Sequence, residues 1–334
     1  RNMIFSNLLK TKIKEKLEKN EQVILLLNRR GFSTFINCSN CGFTYKCPSC
    51  DISLTYHKTQ KKLICHYCGW QLNPPTQCPE CKSLDVGYFG FGTEFIESEV
   101  KAKFPNAVVE RIDTDNLSSQ KELQEKLDLF RNNKIDILLG TQMVAKGLNF
   151  PNLKLVGVIM ADTGLHLPDF RASERTFSLI VQVAGRAGRF FPDGKVIVQS
   201  YSPNRSPIYY ACKNRIEEFY DEELQQRKIL DFPPFSRLIR LVFRSPIKEA
   251  SELAANSAAE ILESFREKYN YDDYEILGPS ECPLSKIAAN YRNQIILRSD
   301  SIKTIQSVTA RFIYNYKNKQ GVYLEVDVDP TNLL

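Results

Sequence analysis

At 334 residues, with 43% apolar and 25% charged residues, the chain is long enough for two or three domains and has an ordinary globular makeup. It holds no low-complexity tract, and its longest aliphatic run, residues 23–27, is far too short to span a bilayer. A formal charge of +6 leans weakly towards anionic partners, but no run of five or more basic residues marks a nucleic-acid patch.

The opening RNMIFSNLLKTKIKEKLEKNE is mixed in charge and lacks the apolar stretch of a secretory signal. An amphipathic helix is expected over about 6–19, followed by an apolar strand over 22–27.

Eight of the ten cysteines come next, all within residues 38–81. They form four pairs: Cys38-Ser-Asn-Cys41, Cys47-Pro-Ser-Cys50, Cys65-His-Tyr-Cys68 and Cys78-Pro-Glu-Cys81. A two-residue spacer lets both thiolates of one turn reach a single tetrahedral metal while backbone N–H groups bond the sulfurs. Such a turn favours a following residue that tolerates positive φ. Gly42 and Gly69 fill that place after two pairs, and Asp51 and Lys82 after the others.

Eight thiolates supply two sites of four. The inner pairs read C-x2-C-x14-C-x2-C, the spacing of a zinc ribbon. This favours a nested arrangement, with Cys47, Cys50, Cys65 and Cys68 on one zinc and Cys38, Cys41, Cys78 and Cys81 on the other. Sequential and alternating pairings also satisfy the spacing. Four thiolates leave a zinc no open position, so the expected role is structural. A disulfide framework needs an oxidising compartment, of which the sequence carries no sign. Fe–S ligation is a third reading. Cys212 and Cys282 stand alone and read as buried free thiols. His57 and His66, surplus to eight sulfurs, read as bystanders or as contacts for a partner.

Beyond the cysteines, short apolar runs alternate with helices. Strands are expected near 86–88, 108–112, 135–139, 155–160 and 195–199, and helices over about 94–104, 119–132 and 171–188. That alternation implies an α/β lobe with a parallel sheet covered on both faces. The cysteine module would be inserted after its first strand. A charged helix is expected over about 207–228, and Asp231-Phe-Pro-Pro-Phe235 marks a boundary. The remainder reads β-α-β-β-α-β, which suggests a ferredoxin-like α+β domain.

Two segments carry candidate chemistry. Gln182-Val-Ala-Gly185-Arg186-Ala-Gly188-Arg189 ends the helix over 171–188. Arginines three apart on one helical face can reach one polyphosphate, where they stabilise charge on a transferring phosphoryl group. As a plain surface feature, the same pair would cap a helix C-terminus. In Ile137-Leu-Leu-Gly140-Thr141-Gln142-Met-Val-Ala-Lys146-Gly147-Leu-Asn149, an apolar strand runs into a Gly/Thr/Lys loop. Such a loop suits phosphate contacts, and equally an ordinary strand-to-helix turn. Asp221-Glu-Glu-Leu224 has the letters of a Walker B box but no apolar strand before it, so it reads as a solvated helix face.

In this order the two segments resemble motifs V and VI of superfamily 2 helicases, and Asn28-Arg-Arg-Gly31 resembles their motif IV region. LNRRGF, the eight cysteines, FGTE, RIDTD, GTQMVAKG, DFRASER, QVAGRAGR and a terminal GPS…PLSKI…VDVDP narrow the resemblance to the bacterial primosomal replication-restart DNA helicases.

That resemblance implies a second RecA-like lobe in residues 1–37 and 82–202, a two-zinc module in 38–81, a linker helix in 203–230 and a C-terminal α+β domain in 231–334. It implies an ATP- and Mg²⁺-dependent 3′→5′ helicase that recognises stalled or recombined forks and restarts replication through primosome assembly. Arg186 and Arg189 would sit at the γ-phosphate with Gln182 nearby. Gly147 and Asn149 would lie on the nucleotide side, Asn149 departing from the usual Asp. Thr141, Gln142 and Lys146 would face DNA. Implied partners are forked and single-stranded DNA, single-stranded-DNA-binding protein, other primosome proteins and the replicative helicase loader, in the bacterial cytoplasm at the nucleoid and not at a membrane. No G-x-x-x-x-G-K-[ST] occurs, so the P-loop lobe is expected upstream of Arg1 and the chain alone is expected to be inactive. The competing class is a non-enzymatic zinc-ribbon module that binds nucleic acid or protein.

Overall fold

The computed structural model describes residues 4–27, 35–38, 40–41, 43–49, 53–57, 60–89, 93–112, 119–141, 150–187, 194–269, 273–317 and 319–333. In chain order the strands are β1 (Gln22–Leu27), β2 (Phe35–Cys38), β3 (Thr55–His57), β4 (Lys62–Ile64), β5 (Gln71–Leu72), β6 (Val86–Phe89), β7 (Val109–Ile112), β8 (Ile137–Gly140), β9 (Leu153–Ile159), β10 (Lys195–Val198), β11 (Arg237–Ser245), β12 (Glu275–Ile287), β13 (Asn290–Ser299) and β14 (Tyr323–Val328). The chain forms two compact units. Among the described residues, no helix is long and apolar enough to cross a membrane.

The first unit comprises Arg1–Phe32, Phe89–Leu165 and Arg171–Tyr220. Its five-stranded sheet has the order β10-β9-β1-β8-β7, and every pairing is parallel. The unbroken apolar run of β1 follows from burial on both faces. Val23, Leu25 and Leu27 join one core with Leu9 and Ile13 of the helix Asn7–Glu18 and Ile96 and Val100 of the helix Thr93–Lys103. Ile24 and Leu26 point the other way, into a core with Phe130, Phe177 and Ile180. Ser6 caps the first helix, its Oγ accepting from the Leu9 N–H, and Ser119 does the same for Gln120–Arg131 through Glu122.

Two local expectations are corrected. The strand near 86–88 forms, but outside this sheet: β6 pairs with β2, so the two ends of the cysteine segment close on each other. The helix expected over 207–228 is two helices, Ser206–Lys213 and Ile216–Ile229. Asn214 breaks it by taking φ 55°, a left-handed cap that asparagine tolerates, with its N–H turned back to Tyr210 and Ala211. Asp221 is an exposed position of the second helix, as a solvated face requires.

The second unit comprises Ser33–Tyr88, His166–Phe170 and Asp221–Leu334. The cysteine segment therefore clusters with the C-terminal domain. That domain has the order β12-β13-β11-β14, all antiparallel, which is the ferredoxin-like arrangement of a β-α-β-β-α-β chain. Alternation divides its sheet cleanly. Ile239, Leu241, Phe243, Ile295 and Leu297 face a core with Ala254, Leu262, Val308 and Phe312 of its two helices. Leu238 and Ile296 face the opposite core, built with Ile36, Leu63 and Tyr67 of the cysteine segment and with Phe170, Phe232 and Leu333.

Candidate functional site

The turn chemistry of the cysteine pairs is visible in the backbone. The Gly69 N–H bonds the Cys65 carbonyl at 2.9 Å and the Lys82 N–H bonds that of Cys78 at 3.0 Å. These two residues take φ of 77° and 58°, the left-handed values their sequence positions require. The Cys65 and Cys78 N–H groups bond the Trp70 and Ser83 carbonyls at 2.8 Å, closing each turn. Gly42 and Asp51 lie outside the described residues.

These turns bring Cys38, Cys41, Cys78 and Cys81 together, with all four sulfurs within 4.8 Å of one another. Cys47, Cys65 and Cys68 form a second group under the same limit, and Cys50 lies outside the described residues. Sulfur–sulfur distances include Cys38–Cys81 at 3.5 Å, Cys41–Cys78 at 3.6 Å and Cys47–Cys68 at 3.5 Å. A disulfide would hold sulfurs at about 2.05 Å. A tetrahedral zinc with bonds of about 2.3 Å separates them by about 3.8 Å. The donor set and spacing fit zinc, and none of the nine described cysteines is in a disulfide.

Local electrostatics favour a thiolate in the outer group. Asn40 Nδ2 donates to Cys81 Sγ at 3.5 Å. That bond first, and the Ser83 backbone N–H second, bring the Cys81 thiol down to about 6. Tyr45, whose hydroxyl donates to the Gln77 carbonyl at 3.2 Å, is pushed up to about 12 by burial and then by the four neighbouring sulfurs.

The isolated cysteines separate. Cys282 is buried, and burial raises its thiol. Cys212 is exposed, contrary to expectation, because it falls on the solvent side of Ser206–Lys213 while Ile208 and Ala211 take the core.

His66, which lies between Cys65 and Cys68 in the chain, is fully buried. Its carbonyl accepts from Gln294 Nε2 at 2.6 Å and from Ser280 Oγ at 2.7 Å, both in the C-terminal sheet. Its Nδ1 donates to the Glu281 carbonyl at 2.7 Å, and its Nε2 lies 3.3 Å from Nε2 of His57. Sequence reasoning missed Gln294, Ser280 and Glu281. The available signal was a glutamine on an inward position of the apolar strand Asn-Gln-Ile-Ile-Leu.

Of the candidate phosphate and DNA residues, Gln182 is half-buried on the helix Ala172–Ala187. Arg186 lies one turn further along this helix, which packs on β9 and β10. Thr141 directly follows β8, at the carboxyl edge of the parallel sheet. Arg189, Gln142, Lys146, Gly147 and Asn149 lie outside the described residues.

Three protein-family models match the chain. They are described as the primosomal protein N C-terminal domain (residues 228–331), the PriA DNA helicase Cys-rich region domain (47–72) and the helicase conserved C-terminal domain (86–191). Among curated proteins, replication restart protein PriA of Treponema pallidum is 46% identical, covering 99% of this chain and 50% of that protein. The protein of the same name in Borreliella burgdorferi is 40% identical (96% and 48%), and that in Bacillus subtilis 39% identical (98% and 40%). The chain thus spans about half the length or less of these relatives.

Proposed function

Since the chain belongs to the PriA replication restart family, we propose that the whole protein is an ATP- and Mg²⁺-dependent 3′→5′ DNA helicase of superfamily 2. It acts on stalled or recombined forks and restarts replication through primosome assembly. This chain supplies its second RecA-like lobe, a two-zinc module and a C-terminal domain. The observation that carries the reading is the placement of the Gln182–Arg186 helix against a five-stranded parallel sheet that the cysteine segment interrupts after β1.

In this reading Arg186 and Arg189 neutralise charge on the γ-phosphate, with Gln182 beside them. A side-chain carbon at Gly185 would meet no described atom within 4 Å, so packing among the described residues does not demand glycine there. Close approach of the P-loop lobe does. Gly147 and Asn149 lie on the nucleotide side, and Thr141, Gln142 and Lys146 towards the DNA strand. The arginines act only on a nucleotide that a P-loop and Mg²⁺ already hold, so this chain alone does not turn over ATP.

Cys38, Cys41, Cys78 and Cys81 would hold one zinc, and Cys47, Cys50, Cys65 and Cys68 the other. Bound zinc supplies cross-links between distant chain segments, with no open position for catalysis. Partners are forked and single-stranded DNA, single-stranded-DNA-binding protein, other primosome proteins and the helicase loader, in the cytoplasm at the nucleoid.

The test is ATP hydrolysis with and without DNA, measured on this chain alone and on the full-length protein. Hydrolysis and unwinding are expected only from the full-length protein. DNA-stimulated hydrolysis by the isolated chain would refute the division of labour.

A further inference from the structure

We propose that the C-terminal sheet sets the geometry of the inner metal site, with Gln294 as the positioning residue for the Cys65–Cys68 turn. The inference rests on reading the inner sulfur cluster as a metal site.

A two-sulfur turn is a short loop whose bite depends on the residues between the sulfurs. Here these are His66 and Tyr67, and both are fixed from outside the ribbon's own strands. Gln294 and Ser280 converge on the His66 carbonyl, and the Glu281 carbonyl takes the His66 Nδ1 proton. The Tyr67 hydroxyl accepts from the Phe170 N–H at 3.1 Å. Gly69, which closes the turn, lies so near that a side-chain carbon there would be 3.4 Å from the Pro279 carbonyl. One at Gly278 would be 3.5 Å from the Tyr67 carbonyl.

The sheet is shaped for this dock. Pairing of β12 with β13 shifts register between Leu277 and Ser280, where β12 meets the turn. Gln294 has no solvent exposure, and its Oε1 accepts from Arg240 Nε at 2.6 Å. Arg240 is itself buried and also donates to the Asn332 carbonyl at 3.4 Å. A guanidinium can only donate and a carbonyl can only accept, so one amide orientation satisfies both neighbours. Arg240 therefore locks the Gln294 amide with its N–H towards His66.

The experiment is pulsed cysteine alkylation of the zinc-loaded chain with peptide mapping, so that each site is read separately and without reference to activity. Gln294→Glu keeps an acceptor for Arg240 but removes the donor to His66. Ser280→Ala removes the second donor, leaves Arg240 untouched, and carries the test should Gln294→Glu fail to fold. Ile305→Val, in the core on the opposite face of the sheet, controls for general loss of stability.

Loss of a residue that orients a metal ligand typically weakens binding on the order of 10–100-fold. Gln294→Glu is expected to speed alkylation of Cys47, Cys50, Cys65 and Cys68 at least about tenfold. Cys38, Cys41, Cys78 and Cys81 should keep their rate, and Ile305→Val should change neither set. Unchanged inner-site rates in both Gln294→Glu and Ser280→Ala, or equal acceleration by Ile305→Val, would overturn the proposal. Immediate alkylation of the inner set in the unsubstituted zinc-loaded chain would instead overturn the metal reading beneath it.

Discussion

His57 and His66 face each other with their Nε2 atoms 3.3 Å apart, bracketed by Glu281. The Glu281 carbonyl takes the Nδ1 of His66, and its carboxylate lies 3.5 Å from Nδ1 of His57. A carbonyl cannot donate, so Nδ1 of His66 carries a proton. Neutral His66 then presents a lone pair at Nε2 towards the His57 ring.

Burial, and then the neighbouring His57, push His66 down to about 4. A histidine whose folded value lies below its ordinary 6.5 takes a proton more readily when unfolded. Its contribution to stability is therefore complete above pH 6.5 and declines as pH falls towards 4. Ring ¹⁵N shifts in the zinc-loaded chain should report the Nδ1–H tautomer of His66 unchanged from pH 8 to about 5. A midpoint near the ordinary value would contradict the buried arrangement.

In the full-length protein, Arg186→Ala and Arg189→Ala should each lower DNA-stimulated ATP turnover by about 10³-fold or more. DNA affinity should stay within a few-fold, because neither residue is assigned to the strand. Equilibrium DNA binding beside steady-state hydrolysis makes the distinction. Weakened binding with intact turnover would move both arginines out of the nucleotide site.

Elemental analysis should find two zinc ions per chain, and Cys78→Ser should leave one. Cys78 joins the sulfur group that includes Cys38, at the end of β2. Its loss should therefore speed proteolysis of the segment between β2 and β6. A single zinc in the unsubstituted chain would sink the paired-site arrangement.

Phe177 and Phe219 are each 1% exposed, and their rings stack at 4.0 Å with planes 8° apart. Phe219→Ala should destabilise the first unit by about 3–5 kcal/mol, from lost burial and the cavity left behind. Chemical denaturation followed in that unit is the measurement. A loss under about 1 kcal/mol would mean that the helix Ile216–Ile229 re-seats itself.

Much of this was legible in the residues. The alternation of apolar runs and helices announced the parallel sheet, because strands buried on both faces must be apolar throughout. The β-α-β-β-α-β order announced the C-terminal fold. Cysteine spacing announced the four two-sulfur turns, since two intervening residues let both sulfurs reach one metal, but it left the grouping of turns into sites open. The docking of the cysteine segment on the C-terminal sheet was not legible. It depends on Gln294 and Ser280 meeting His66 more than two hundred residues away in the chain, and no local pattern encodes such a contact. Asn214 gave a faint signal, since its left-handed cap competes with an otherwise continuous helical sequence. Cys212 went astray because an isolated cysteine carries no periodicity to say which face it takes.

The contact between His66 and Gln294 spans 228 positions of chain. A ribosome adding about 5–20 residues per second makes that interval in roughly 10–50 s. Throughout it, the Cys65–Cys68 turn is already made while the surface that braces it is still unsynthesised. The nascent ribbon must capture its metal without its brace, or wait as four reactive thiols. Only once β13 is made can Gln294 reach the His66 carbonyl, so translation stalled short of β13 leaves the turn without that brace.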